Sequence, residues 1–334
     1  MTSDQDGLKK LVAQFEAKPV TVIGDIFLDK YIWGTVDRVS PEAPVLVVKV
    51  REENMRLGGA ANVVNNLVAL GAKVSLCGVV GDDAAGQNVL KLLSDAGVDT
   101  KGVVIDSTRP TIVKTRVIAH SQQVVRVDRE EIKPLPDALK DQVSKTLREK
   151  LSNSASVVVS DYGKGVIGEY LFSEIRACKE KVKDLPVLVD PKAPHFDLYK
   201  GASIIKPNRK EAEQASGISI STRSDAIKAG EKLIELWQCQ RVLITLGELG
   251  MVLVSRAGTD EPVVEIDTVA RKVFDVSGAG DTVSAVFALA LAAKSSGRLA
   301  AELSNIAAGI VVGEVGTVAI SKSRLLEALH TGKM

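Results

Sequence analysis

The stretch Asp275-Val276-Ser277-Gly278-Ala279-Gly280-Asp281 runs straight into residues 282–293, a segment without Gly or Pro that is rich in Ala, Leu, Val and Phe. Such a segment predicts a buried helix. A Gly-Ala-Gly turn at its head leaves backbone N–H groups unpaired, and the positive end of the helix dipole adds to their field. Residues 275–293 therefore read as an anion hole and the catalytic helix behind it. Gly278 and Gly280 bring the backbone close to the anion and take dihedrals that a side chain resists. Asp281 beside an anion is electrostatically wrong unless it has a chemical task. A carboxylate next to a phosphoryl group in transfer accepts the proton of the attacking hydroxyl. The plainer reading is a glycine-rich helix start with Asp281 as an ordinary first-turn residue.

The rest of the chain narrows the choice. Its 334 residues suffice for a large α/β core. Lys and Arg number 43 against 42 Asp and Glu, so no global field draws in nucleic acid or an anionic membrane. No apolar run approaches the roughly 18 residues of a membrane span. The polar N-terminus reads as neither a signal nor a transit peptide. Cys77, Cys178 and Cys239 are scattered, as are His120, His195 and His330, which argues against a disulfide framework or a zinc site. A reducing, cytoplasmic location is expected.

Uniformly apolar runs at 20–24, 74–80, 157–160, 187–190, 203–205 and 242–246 read as strands of a parallel sheet covered on both faces. Helical stretches at 60–70, 84–96, 135–151, 168–183 and 223–237 alternate with them, and 297–316 reads as a further buried helix. Asp25, Asp161, Asp190, Asn208 and Gly247 fall at strand C-terminal ends, where open α/β sheets bind ligands. Residues 29–50 and 108–129 depart from this pattern, alternating as in 112–118 and 124–128. They are expected to form antiparallel strands with one wet face, meeting as a small secondary sheet or joining the main sheet as edge strands. No linker divides the chain, so residues 1–334 are expected to form one domain.

Three further motifs carry chemistry, each with a plainer alternative. Gly58 and Gly59 precede a helix, either as a turn or as a close approach to a ligand, and Asn62 suits sugar hydroxyls as donor and acceptor. In Lys206-Pro207-Asn208-Arg209-Lys210-Glu211 the spacing puts Asn208 and Glu211 on one face of a helix start. They suit Mg²⁺ through water, with Lys206 on phosphate, or else they form a capping box. Thr245, Gly247 and Gly250 mark either a hairpin turn or a loop receiving a nucleotide. Lys114, Arg116, Arg126 and Arg129 lie on or beside the alternating strands, as a sugar phosphate's cations or as solvated charges. There is no Walker A motif and no dinucleotide fingerprint.

Together these motifs resemble the ribokinase or PfkB sugar kinases: Asp275–Asp281 its second signature, Leu57–Asn62 its first, and Lys206–Glu211 its nucleotide and metal motif. The resemblance implies a ribokinase-like α/β fold with a small β lid, ATP and Mg²⁺, and phosphorylation of a sugar hydroxyl. By the same resemblance Asp25, Asp29, Gly58, Gly59 and Asn62 bind sugar hydroxyls, with Asp161 and Lys192 at the same rim. Thr245, Gly247 and Gly250 line the nucleotide side, and Asn305 and Ala308 lie near the adenine. Residues 38–45, 56–63, 160–165 and 189–192 further resemble the kinase half of the heptose-7-phosphate kinase/heptose-1-phosphate adenylyltransferase family. No HxGH-type nucleotidyltransferase motif accompanies them, which is similar to the single-function form. That resemblance implies heptose 7-phosphate phosphorylated at O1. It also leaves room for another sugar kinase of the fructokinase or phosphofructokinase type, or a non-catalytic nucleotide-binding regulator. A homodimer follows if lid strands pair between chains.

Overall fold

A computed structural model describes residues 2–120, 122–182, 184–258, 262–270 and 274–331. Ser121, inside the second alternating segment, and Lys183, the expected end of one helix, lie outside these. The elements are α1 (Thr2–Ala13), β1 (Pro19–Gly24), β2 (Ile26–Val39), β3 (Leu46–Gly59), α2 (Ala60–Ala69), β4 (Lys73–Gly81), α3 (Ala84–Asp95), β5 (Val103–Asp106), β6 (Ile112–Ala119) and β7 (Gln122–Arg129). Then follow α4 (Asp137–Leu151), β8 (Ser156–Ser160), α5 (Glu169–Lys181), β9 (Val187–Asp190), β10 (Ile204–Ile205), α6 (Arg209–Ser216), α7 (Arg223–Trp237), β11 (Arg241–Thr245), β12 (Met251–Ser255), β13 (Val263–Ile266), α8 (Ala279–Ala292), α9 (Gly297–Val311) and α10 (Lys322–Thr331).

Nine strands form the main sheet in the order β13-β12-β11-β10-β9-β8-β1-β4-β5. The seven from β11 to β5 run parallel, while β12 and β13 are antiparallel additions at one edge. The period of two sorts each central strand into both cores: in β8, Val158 faces one side, and Val157 and Val159 the other. Helices α1, α2, α3, α8, α9 and α10 cover the first side; α4, α5, α6 and α7 cover the second. Helix α8 is buried nearly all round, as an apolar helix without a polar face must be.

The alternating segments form a separate four-stranded sheet, β3-β2-β6-β7. Two expectations change here. The central pair β2–β6 is parallel, because β2 follows β1 and β6 follows β5, two strands that run the same way in the main sheet on either side of β4; only β2–β3 and β6–β7 are antiparallel. The first excursion is also longer than 29–50. Strand β3 runs through Gly58 and Gly59 and ends where α2 begins, so that glycine pair is strand, not turn. Helix α9 stops at Val311, short of Gly316. Among the described residues no helix is long and apolar enough to cross a membrane, and Cys77, Cys178 and Cys239 are free thiols.

Candidate active site

The C-terminal ends of the parallel strands open onto a cleft of about 650 Å³. Its walls include Asp161, Lys192, Lys206, Asn208, Glu211, Thr245, Gly247, Gly250, Gly278, Ala279, Gly280, Asp281, Asn305 and Ala308. Residues expected at a phosphoryl centre and residues expected around a nucleotide thus share one cavity. The Thr245–Gly250 motif is a turn, as one of its readings has it. It is the turn of the β11–β12 hairpin, and its residues line the cleft.

Helix α8 begins directly on Gly278, whose φ of 81° is left-handed and whose Cβ would stand 2.7 Å from Asn62 Nδ2. Glycine is required there. At Gly280 it is not required by the backbone, contrary to expectation. The residue is helical and a Cβ would meet only Lys206 Nζ, at 3.5 Å, so its missing side chain keeps space open in front of an ammonium group. The helix start has no side-chain cap. The Ala279 N–H turns back to Val276 O at 3.2 Å, leaving the N–H groups of Gly280 and Asp281 without a protein acceptor among the described residues. The anion hole is therefore narrower than three amides, and Lys206 complements it. Lys206 is itself held by Asp190 Oδ2 at 3.0 Å, an oxygen that also accepts from Ser284 Oγ at 2.9 Å.

Asp281 is 4% exposed. Its Oδ2 accepts from Asn62 Nδ2 at 2.8 Å and its Oδ1 from Tyr162 OH at 2.7 Å. Burial pushes its carboxyl up to about 7, against the pull of these hydrogen bonds and of Lys206. A carboxylate so tuned is suited to take a proton near neutral pH. Asn62 reaches it because α2 starts right after β3. The side chain expected to bind sugar thus donates to Asp281.

Asn208 and Glu211 form the capping box of α6, with Asn208 Oδ1 accepting from Glu211 N at 3.0 Å and Glu211 Oε2 from Asn208 N at 3.1 Å. Glu211 Oε1 accepts from Lys192 Nζ at 2.9 Å. Both side chains line the cleft while serving the cap, so hard oxygen atoms are present at its wall.

The sugar-side expectations separate. Asp25 is 0% exposed, and its carboxylate accepts from the N–H groups of Tyr162, Lys164 and Val166 at 3.0, 3.1 and 3.2 Å. It anchors the loop after β8. Burial pushes it up to about 6, with the charge of Asp161 adding. Asp161 is likewise engaged, by Gly163 N, Tyr199 OH and His195 Nδ1 at 2.7, 2.7 and 2.6 Å. Asp29 pairs with Arg116 at 2.6 Å on the lid, and burial raises its carboxyl despite that guanidinium. Gly58 makes room for it, since a Cβ would lie 2.5 Å from Asp29 Oδ2, while Gly59 takes a φ of 58° beside Asp25 O. Neither glycine faces the cleft.

The small sheet carries three of the four expected cations, Lys114, Arg116 and Arg126, on one face. Lys114 stands 3.4 Å from Asp128, and Arg126 2.9 Å from the same carboxylate; Arg126 is paired in register with Arg116. Arg129 lies 4.0 Å from Asp83 at the sheet's rim. Arg56 was not anticipated. It stacks on Tyr31 and donates to Thr317 O at 2.9 Å, tying the lid to the segment after α9. Tyr162 falls within the 160–165 resemblance without an expected role, although polar residues just past a strand end are where function is sought.

A model of the pfkB family of carbohydrate kinases matches residues 18–324. The bifunctional protein HldE of Desulfatibacillum aliphaticivorans is 45% identical over 320 residues, 96% of this chain and 64% of the relative. HldE of Geobacter metallireducens is 44% identical over 326 residues, 98% of this chain and 66% of the relative. The chain thus spans about two thirds of the length of these curated relatives. The structure of Arabidopsis thaliana ribokinase complexed with ribose and ATP superposes with a TM-score of 0.73 at 21% identity, covering 94% of this chain and 99% of that one. Phosphofructokinase-2 from Escherichia coli in complex with substrates and products gives 0.77 at 18% identity, covering 94% and 99%. These structures share the ribokinase-like fold. With the family match running from β1 through the lid and the α8 turn into α10, the chain belongs to the pfkB family of carbohydrate kinases and is a sugar kinase.

Proposed function

We propose that the chain transfers the γ-phosphoryl group of ATP to O1 of D-glycero-D-manno-heptose 7-phosphate, giving the 1,7-bisphosphate. The observation that carries the chemistry is the buried Asp281 carboxylate, gripped by Asn62 and Tyr162 beside the open amides of α8 and Lys206. The sugar O1–H gives its proton to Asp281 as O1 bonds to the γ-phosphorus, and the bond from that phosphorus to the β-γ bridging oxygen breaks, releasing ADP. The amides of Gly280 and Asp281 with Lys206 hold the oxygens that gain charge. Thr245, Gly247, Gly250, Asn305 and Ala308 take the nucleotide. Mg²⁺ would be held through water by Asn208 and Glu211, whose oxygens suit a hard cation, and would neutralise phosphate charge. Its place is in a cytoplasmic pathway making ADP-heptose for lipopolysaccharide core.

Two observations support a phosphorylated substrate: the lid cations Lys114, Arg116 and Arg126 on one face, and the 44–45% identity to proteins named HldE. Val125 and Val127, on the opposite face of β7 and exposed, suit pairing of two copies through their lids; Val125→Lys with Val127→Lys should leave a monomer in sedimentation. ADP release with a panel of sugars and sugar phosphates tests the substrate. Heptose 7-phosphate should exceed heptose in kcat/KM by roughly ten- to a hundredfold, the worth of a charge-assisted contact. Equal values would remove the sugar-phosphate reading and favour an ordinary sugar kinase.

A further inference from the structure

The loop that follows β8 is clamped from two sides. Asp25 takes the N–H groups of Tyr162, Lys164 and Val166. Asp161 takes Gly163 N, while His195 and Tyr199 fix Asp161. Three buried or half-buried polar side chains and a buried carboxylate are thus committed to holding five residues in one conformation. What that conformation presents to the cleft is one hydroxyl, Tyr162 OH, 2.7 Å from Asp281 Oδ1. The Tyr162 ring also meets Phe27 edge-on, with centroids 4.7 Å apart, and Phe27 stands at the root of lid strand β2.

We propose that Tyr162 is a positioning residue for phosphoryl transfer: its donated hydrogen bond fixes the orientation of Asp281 and keeps its carboxylate charged and ready to accept the proton. Asn62 occupies Oδ2 and Tyr162 occupies Oδ1, so the rotation of the carboxylate about its own axis is determined by two donors on separate elements. Removing either frees it. The charged groups facing Asp281 from the packed elements are Asp190 on β9 and Lys206 after β10, opposed in sign; Tyr162 in turn faces Asp281, Asp190 and Asp29. Burial favours the neutral carboxyl, and with the Asp190 and Lys206 charges opposing each other the neutral donors are what favours the charged form. A hydrogen bond to a charged acceptor is worth about one pK unit or more.

The proposal rests on Asp281 as proton acceptor, and the test separates the two. The kcat/KM of wild type should rise with pH through a limb near 7. In Tyr162→Phe that limb should move up by about one unit, so the rate at pH 7 falls about fivefold and is recovered by pH 9. Site-specific replacement of Tyr162 by a ring-fluorinated tyrosine, a more acidic and stronger donor of the same shape, should move the limb down. It decides the question even if the Phe variant folds poorly. A wild-type profile without the limb overturns the role of Asp281. A limb that is present but unmoved by both replacements, or a pH-independent loss in Tyr162→Phe, overturns the role of Tyr162 and leaves it a packing residue.

Discussion

Replacing Asp281 by Asn should make the protein more stable and nearly inactive, and the stability gain should depend on pH in a defined sense. In the folded chain burial lifts the Asp281 carboxyl from 3.8 to about 7, while in the unfolded chain it titrates at the ordinary value. The folded state therefore holds a proton that the unfolded state has lost between these two values. Stability associated with the neutral carboxyl is present below about 4 and drains away as pH rises towards 7. A shift of about three units corresponds to a ceiling of about 4 kcal/mol, reached above pH 7. Asn has nothing to ionise. Its amide fits the same contacts, accepting from Asn62 on Oδ1 while Tyr162 turns its hydroxyl to accept from Nδ2. Asp25 also has a raised carboxyl, but it is present in both proteins and drops out of the difference; Asp190, whose charge faces Asp281, loses a like-charged neighbour in the Asn variant, which adds to the gain at high pH in the same sense. The assay is urea unfolding of both proteins at pH 4.5, 6 and 8. We expect a gain for Asp281→Asn of less than about 1 kcal/mol at pH 4.5, growing to about 2–4 kcal/mol at pH 8, with kcat down by about 10²–10⁴-fold. A difference that stays flat across that range would show that Asp281 is not held against its own charge, and the argument for a base poised near neutrality would fall with it.

Gly278→Ala and Gly280→Ala should part company. The first forces a left-handed residue against Asn62, costing about 1–2 kcal/mol of stability. The second leaves the melting temperature unchanged but abolishes turnover, since its methyl enters the space before Lys206; equal melting losses would contradict this. Glu211→Gln should raise the Mg²⁺ concentration needed for half-maximal rate and cost about 1 kcal/mol through the weakened capping box. Superimposed Mg²⁺ titrations would leave Glu211 as a cap alone. Lys114→Met should raise KM for heptose 7-phosphate by roughly ten- to a hundredfold with KM for ATP unchanged. Arg116→Met is a poorer probe, because it strands buried Asp29 without its cation and should cost about 3–5 kcal/mol of stability.

The parallel strands were legible because burial on both faces imposes uniformly apolar runs, as in residues 157–160, and such runs have few other readings. The edge strands β12 and β13 were not, since a short antiparallel strand beside a hairpin looks much like loop in one sequence. The anion hole was legible because Gly278-Ala279-Gly280-Asp281 is local chemistry on four consecutive residues. The sugar side was the least legible. Asp25 and Asp29 stand four apart, look alike in sequence, and differ only in what the fold brings to them: three amides from a loop more than 130 residues away for Asp25, and Arg116 on a neighbouring strand for Asp29. No local signal distinguishes a carboxylate that binds a loop from one that faces a ligand. Tyr162 was missed for the same reason, its partner being 119 residues distant.

Strand β3 has 14 residues and passes without a break into α2, which carries Asn62 on its third position. At about 3.3 Å per residue that is an arm of roughly 45 Å, and a swing of ~10° about its root carries the tip ~8 Å. Atoms one residue from the pivot move by only about 0.6 Å in the same swing. The arrangement is a mechanical amplifier that runs in both directions. Sub-ångström adjustments at Asn62 appear at the tip as displacements large enough for a distance label to read. Conversely, whatever grips the tip acts on Asp281 with high leverage and fine control.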